Sequence, residues 1–178
     1  MQIDVASPAD CHDIAEVHVE SWQHAYRGIL RERYLASLSV PDRQAMWRRL
    51  VDREPSHLLV ARRAGTVAGF IAFGASRDEG APDDRAEVWA IYVRPGLWST
   101  GVGRQLWLAA WQQMQTEGYT TVGLWVIADN ARAIRFYERA GFVVEAGSDK
   151  PCEIGGTTVR EIRYVFTPSI PKKPRAPE

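Results

Sequence analysis

The chain has 178 residues and a mass of 20.0 kDa, and 46% of its residues are apolar, the size and make-up of one ordinary domain with a real core. Lys+Arg and Asp+Glu both number 22, so no global field draws a polyanion and nucleic-acid binding by bulk charge is excluded. Cys11 and Cys152 stand outside any C-x-x-C pattern, which leaves neither a disulfide framework nor a cysteine zinc site, and no run approaches the roughly 18 apolar residues of a membrane helix.

In chain order, Gln2 to Val5 alternates as a short strand, and Ser7-Pro8 then offers an N-cap with proline at the first helical position. The helix that starts there carries Ile14, Val17, Val19, Trp22, Ala25 and Tyr26 at loosely helical spacing and stops before Gly28. A second helix is expected over about Pro41 to Asp52, closed by Pro55. His57 to Ala61 and Thr66 to Ala75 read as two antiparallel strands joined by a hairpin, followed by a polar surface loop to Arg85. Ala86 to Val93 is a further strand ended by Pro95-Gly96. Beyond the glycine turn, Arg104 to Thr116 keeps an apolar helical face through Leu106, Trp107, Ala110 and Met114, and Gly118 ends it. Val122 to Ile127 is a short strand. Asp129 or Asn130 caps a helix over Ala131 to Ala140, and Phe142 to Ala146 and Thr157 to Phe166 form two last strands.

The order β-α-α-β-β-β-α-β-α-β-β, without internal repeat, predicts an α+β domain: a mixed, mostly antiparallel sheet with helices on its faces. One domain is expected over residues 1–167, with a Pro-rich tail from Pro168 to Glu178 that has nothing to bury. The first ten residues lack a basic patch followed by an apolar run, and together with the two isolated cysteines this gives a cytoplasmic location as the expectation.

The chemistry concentrates in two segments. In Pro95-Gly96-Leu97-Trp98-Ser99-Thr100-Gly101-Val102-Gly103-Arg104 small residues turn the backbone from strand into helix with its N–H groups exposed, a geometry suited to phosphate. A structural turn would read the same way, so context decides. A dinucleotide fingerprint fails because Leu106 stands where the third glycine belongs, and a P-loop fails because no Gly-Lys-Ser/Thr follows. The second segment runs from Leu124 through Asp129-Asn130-Ala131-Arg132-Ala133-Ile134-Arg135-Phe136-Tyr137 to Gly141-Phe142.

Together with Glu87-Val88-Trp89-Ala90-Ile91-Tyr92-Val93, these segments resemble the GNAT superfamily of acyl-CoA-dependent N-acyltransferases over about Glu87 to Phe142. The resemblance implies two splayed strands, Ile91 to Val93 and Leu124 to Val126, that admit the pantetheine arm of acetyl-CoA. It assigns cofactor binding to Ile91, Val93, Trp98, Ser99, Thr100, Gly101, Val102, Gly103, Arg104, Asn130, Ala133 and Tyr137. The family's turn usually reads Arg/Gln-x-x-Gly-x-Gly/Ala, and here Trp98 replaces the charged or amide residue, so a backbone-held pyrophosphate survives but the charge-assisted contribution does not.

Tyr137 matches the family's general-acid tyrosine, the alternative being an aromatic pair with Phe136 in a core helix. Glu87 reads either as the carboxylate that takes the proton of the amine or as a solvated strand-end charge. Trp22 and Tyr26, four apart on one helix face, and Trp125 are the candidate acceptor wall, with simple packing as the alternative. His12, His18 and His24 recur every six residues, about 600° of helical rotation, which does not bring neighbours onto one face; no metal is expected. Glu145, Asp149 and Glu153 form either an acidic rim or solvated loop charges.

The expected function is acetyl transfer from acetyl-CoA to a primary amine of a small molecule or peptide by direct attack in a ternary complex. The alternative is a catalytically weak acyl-CoA-binding sensor or interaction module. A homodimer is compatible with the resemblance, although the sequence supplies no interface pattern, and no nucleic-acid or membrane partner is expected.

Overall fold

A computed structural model of the chain describes residues 1–52 and 57–168. The described residues form strands β1 (Gln2–Val5), β2 (Leu58–Arg63), β3 (Thr66–Ala75), β4 (Arg85–Val93), β5 (Thr121–Ile127), β6 (Val143–Val144), β7 (Lys150–Ile154) and β8 (Thr157–Phe166). The helices are α1 (Cys11–Ala25), α2 (Glu32–Ala36), α3 (Val40–Val51), α4 (Val102–Thr116) and α5 (Ala131–Arg139). Pro55 and the tail beyond Pro168 lie outside the described residues. The strands make one sheet in the order β1-β2-β3-β4-β5-β8-β6, with β7 paired to β8. Every pairing is antiparallel except β4 with β5, so the expected mixed, mostly antiparallel sheet is what the chain builds.

β3 shows why this sheet has two covered faces. Its interior residues are all buried, and alternation sends Phe70 and Ala72 toward α1 and α3, and Ile71 and Phe73 toward α4. The hairpin before it closes on Ala64 and Gly65 with φ of 50° and 81°, the positive pair that a two-residue turn between twisted strands demands. A third apolar cluster, around Leu30, Leu35, Ile127 and Val159, lies under α2 and the β7–β8 hairpin.

Three elements differ from expectation. The helix expected from Pro8 begins with a single 3₁₀ turn, Pro8–Asp10, and continues as α1 from Cys11. The buried Asp10 explains the join: it accepts from Ser7 N–H and Oγ–H, both at 2.8 Å, and from Arg62 Nη2 at 2.6 Å. Burial works to raise the Asp10 carboxyl, but the Ser7 and Arg62 hydrogen bonds outweigh it and hold it below its ordinary value. α2 and β7 are additional. α2 packs Tyr34 against the β7–β8 turn so closely that a Cβ on Gly155 would sit 2.1 Å from the Tyr34 ring.

Candidate active site

The site begins where the sheet comes apart. β4 and β5 pair only through Arg85↔Thr121, Ala86↔Val122 and Glu87↔Gly123, while β4 continues to Val93 and β5 to Ile127. Against β3, Ala90 pairs with Ala72 and Val88 with Phe73, so Trp89 is an extra residue that kinks β4. Arg94 N–H bonds Ala68 O, and by ladder alternation the polar groups of Val93 face the gap left by β5. Arg94 fixes this strand end: its guanidinium bonds Glu16 and Glu20 of α1 at 3.0 Å and the Val67 carbonyl at 3.0 Å.

At one side of the gap stands the α4 N-terminus. Its cap, Gly101, has φ of 93° and no side chain, so the first helical N–H groups meet no capping oxygen and remain available to an anion. Ser99, also at positive φ, and Thr100 are exposed, as is Arg104. Gly103 lets α5 approach: an added Cβ would lie 3.2 Å from the Phe136 ring. Trp98 does not point to solvent. Its indole N–H donates to Val93 O at 2.8 Å, a carbonyl that also accepts from Ser21 Oγ at 2.9 Å, and Arg132 of α5 stacks on its ring with Cζ 3.2 Å from the centroid. Of the Val93 backbone groups expected to meet a ligand, the carbonyl is therefore taken and the N–H is the one that faces the gap.

At the other side stands α5. Asn130, nearly buried, accepts the Ala133 N–H at 3.1 Å through its side chain and so starts the helix. Two turns later Tyr137 packs its ring on Phe136 and Phe142, 5.3 and 5.8 Å between centroids. Burial, with Tyr92 nearby, raises the Tyr137 phenol above its ordinary value, against the opposing pull of Arg132; Tyr26 is raised by burial and by Tyr92 and Tyr137 in turn. Tyr137 Oη has no hydrogen-bond partner among the described residues, a partly buried phenol whose proton no side chain or backbone group accepts.

Beyond the gap opens a cavity of about 480 Å³ with Trp22, Tyr26, Trp89, Tyr92 and Trp125 in its walls and Arg77, Asp78, Glu87, Lys150 and Glu161 as its charged groups. Glu87, with a side chain 5% exposed, accepts from the backbone N–H of Arg77 at 2.8 Å, from Arg77 Nε at 3.2 Å and from Arg77 Nη2. Trp125 is fixed on three sides: its N–H reaches Asp78 at 3.0 Å, and Lys150 Nζ and Arg163 Cζ lie 3.6 and 4.6 Å from its ring. Trp89 rests on Gly74, where a Cβ would come within 2.5 Å of its ring, and under Arg77 at 5.5 Å.

This gap fits the pantetheine and pyrophosphate of a coenzyme A thioester: an uncapped helix N-terminus for the anion, and a strand edge with an unspent N–H for the amides. The family model described as "Acetyltransferase (GNAT) family" matches residues 14–142. The chain belongs to the GNAT acetyltransferase family. It is an N-acetyltransferase, with acetyl-CoA as its cosubstrate. Among curated relatives, the N-acetyltransferase YuaI of Bacillus subtilis is 32% identical over 154 residues, 86% of this chain and 85% of that one. The mycothiol acetyltransferase of Propionibacterium freudenreichii is 40% identical over 92 residues, 51% of this chain but only 29% of its own length. Among solved structures, the PaiA N-acetyltransferase of Thermoplasma acidophilum in complex with coenzyme A superposes with a TM-score of 0.75 at 24% identity, covering 93% and 98% of the two chains, and supports the fold. The acetyltransferase yncA of Salmonella typhimurium with acetyl-CoA gives 0.70 at 25% identity, over 99% and 98%.

Within this GNAT framework the sequence-derived residues come together around one opening. Ile91 and Val93 line β4's free edge; Trp98 to Arg104 form the turn; Asn130, Ala133 and Tyr137 lie along α5; Trp22, Tyr26, Glu87 and Trp125 reach the cavity. Trp22 and Tyr26 also touch each other edge-on at 4.9 Å, so packing and cavity lining are both true of them. His18 is a core residue, accepting from Trp47 Nε1 at 3.2 Å, and no cluster of three His, Cys, Asp or Glu among the described residues suits a metal. Glu145, Asp149 and Glu153 do not make a rim: the first two pair with arginines and the third accepts from Thr158. Sequence reasoning missed Arg77, Asp78, Trp89, Lys150 and Glu161. Only the positions of Trp89 and Arg77, beside Glu87 on one hairpin, carried a signal for them.

Proposed function

We propose that the enzyme acetylates a primary amine by direct attack within a ternary complex, and the observation that carries this reading is the parting of β4 from β5 between an uncapped α4 and the unpartnered Tyr137 phenol. Acetyl-CoA supplies an acetyl thioester, whose carbonyl is open to a neutral amine. The α4 amides of Val102, Gly103 and Arg104, with Ser99 and Thr100, hold the pyrophosphate, while Ile91 and Val93 offer backbone to the pantetheine and Ala133 lines it. Asn130 supports the site by starting α5 where Tyr137 is needed.

Tyr137 keeps its proton on Oη through the working pH range and delivers it to the leaving sulfur. Glu87, held by Arg77 at the cavity wall, takes the proton of the incoming amine through water. Tyr26 and Tyr92 keep bulk water from the reacting end. No cysteine is needed as a relay: Cys11 is buried, and burial and the neighbouring Glu161 push the Cys152 thiol up, away from the thiolate form. Both cysteines are free, which suits a cytoplasmic enzyme, and no helix among the described residues is long and apolar enough to cross a membrane.

The test is thiol release from acetyl-CoA across polyamines, amino acids, aminoglycosides and short peptides, alongside calorimetric titration of coenzyme A. Acceptor-dependent release is the expected result. Coenzyme A binding without release for any amine would replace the enzyme reading with an acyl-CoA-binding module, and absence of coenzyme A binding would remove both.

A further inference from the structure

The β7–β8 hairpin sets two opposite charges side by side in the acceptor cavity and leaves them unjoined. Lys150 and Glu161 are direct cross-strand partners, a placement at which opposite charges ordinarily pair. Neither forms an ion pair within 4.0 Å among the described residues, and the polar neighbour of Glu161 is the uncharged Cys152 thiol. Lys150 instead lays its ammonium on the Trp125 ring at 3.6 Å. Glu161 sits opposite Ile127 of β5, two residues beyond Trp125 on the same face, and its charge is felt by Tyr26. The other charges of this cavity are committed: Glu87 to Arg77, and Asp78 to Arg163 and Trp125. One wall thus carries a carboxylate beside Ile127, at the end of β5 that leads to Asn130 and α5, and an ammonium over Trp125, farther back along the same strand.

Resting on the acetyltransferase reading above, we infer that the acceptor is a free amino acid with an apolar side chain, its ammonium received by Glu161 and its carboxylate by Lys150. The order of the charges puts the amine on the side of Tyr137, where transfer occurs, and the carboxylate away from it. Trp22 and Tyr26 in the cavity wall offer apolar surface for the side chain. A polyamine has nothing for Lys150 to bind, and a peptide N-terminus places an uncharged carbonyl where the carboxylate would be. Glu161 orients the amine and is a positioning residue.

The experiment compares L-phenylalanine, L-leucine and L-methionine with their carboxamides, which keep the ammonium and lose the carboxylate. Steady-state thiol release gives kcat/KM, and quenching of tryptophan fluorescence, with Trp125 in the wall, reads acceptor binding without chemistry. Acids are expected to exceed their amides by at least about tenfold in one or more pairs. Lys150→Met should reduce that preference to under about threefold by raising KM for the acids more than for the amides; Glu161→Gln should raise KM for acids and amides alike with kcat less affected. Amides bound as well as acids, or Lys150→Met weakening both equally, would overturn the assignment. Acid-selective quenching that Lys150→Met abolishes, with no thiol release, would uphold the site and instead refute the acetyl-transfer reading on which it was placed.

Discussion

Replacing Tyr137 by phenylalanine removes one oxygen from the α5 side of the site. The ring contacts with Phe136 and Phe142 are kept, and Oη gives up no hydrogen bond to the described residues, so the fold should lose less than about 1 kcal/mol. The chemistry should lose far more. General acids contribute roughly 10²–10⁴-fold, which corresponds to about 2.7–5.4 kcal/mol of barrier. Because burial and Tyr92 push the phenol up, Tyr137 stays protonated in ordinary assay buffers, and the wild-type rate should show no alkaline fall from its ionisation. The assay is thiol release at saturating acetyl-CoA, with urea melts on the same preparations. Tyr137→Phe should lower kcat by at least about a hundredfold, with KM for acetyl-CoA within about threefold and the urea midpoint nearly unmoved. A kcat within about fivefold of wild type would show that the sulfur acquires its proton elsewhere and that Tyr137 is a packing residue.

Burial lowers the His18 imidazole to about 3, so between roughly pH 6.5 and 3 the unfolded chain binds a proton that the folded one does not, and stability falls as pH falls. Urea titrations at pH 6.5 and 4.5 should differ by about 2 kcal/mol from this group, and the difference should shrink in His18→Gln, which keeps an acceptor for Trp47 Nε1. Arg77→Gln leaves Glu87 with the backbone N–H alone; since Arg77 is itself largely exposed, the loss should be about 1–2 kcal/mol of stability, measured by denaturation, with a lower kcat in thiol release. Gly74→Ala drives a methyl into the Trp89 ring and should cost about 1–3 kcal/mol and raise the acceptor KM, whereas an unchanged melting curve would mean that Trp89 moves freely.

What the sequence disclosed was whatever short-range pattern encodes. The β-rich run of Thr66–Ala75, the Asn130 cap and the glycine stops at Gly28, Gly118 and Gly141 each act within a few residues, and each stood where the pattern put it. α2 escaped because five residues carry no amphipathic period; it forms because Leu35 is buried and Tyr34 meets Gly155 from a distant hairpin. β7 escaped because Pro151 reads as a breaker, yet the strand pairs on one side only, where a missing N–H is tolerated. The charged half of the cavity was hidden for a different reason. Lys150 and Glu161 reach this wall through strand register and Arg77 through the fold of the β3–β4 loop, which no local pattern reports, and Glu87 was legible as a candidate without its clamp.

The opened strands explain Trp98 as well. Parting β4 from β5 leaves backbone groups that a sheet would have paired, and an unsatisfied carbonyl in such a place costs about 1–3 kcal/mol. Val93 O is spared that penalty by two donors from outside the sheet, Ser21 Oγ and Trp98 Nε1. A flexible charged side chain at position 98 would place its charge at the anion site but would compete with water for this carbonyl. The indole instead fixes the turn to the strand end, and its face holds Arg132, so a positive charge still stands beside the α4 N-terminus, supplied by α5 rather than by the turn. On the proposed reading of this turn as the pyrophosphate site, the departure from the family's turn pattern is a relocation of charge: the backbone amides of α4 receive the anion, and Arg132 of the neighbouring helix, stacked on Trp98, supplies the cation.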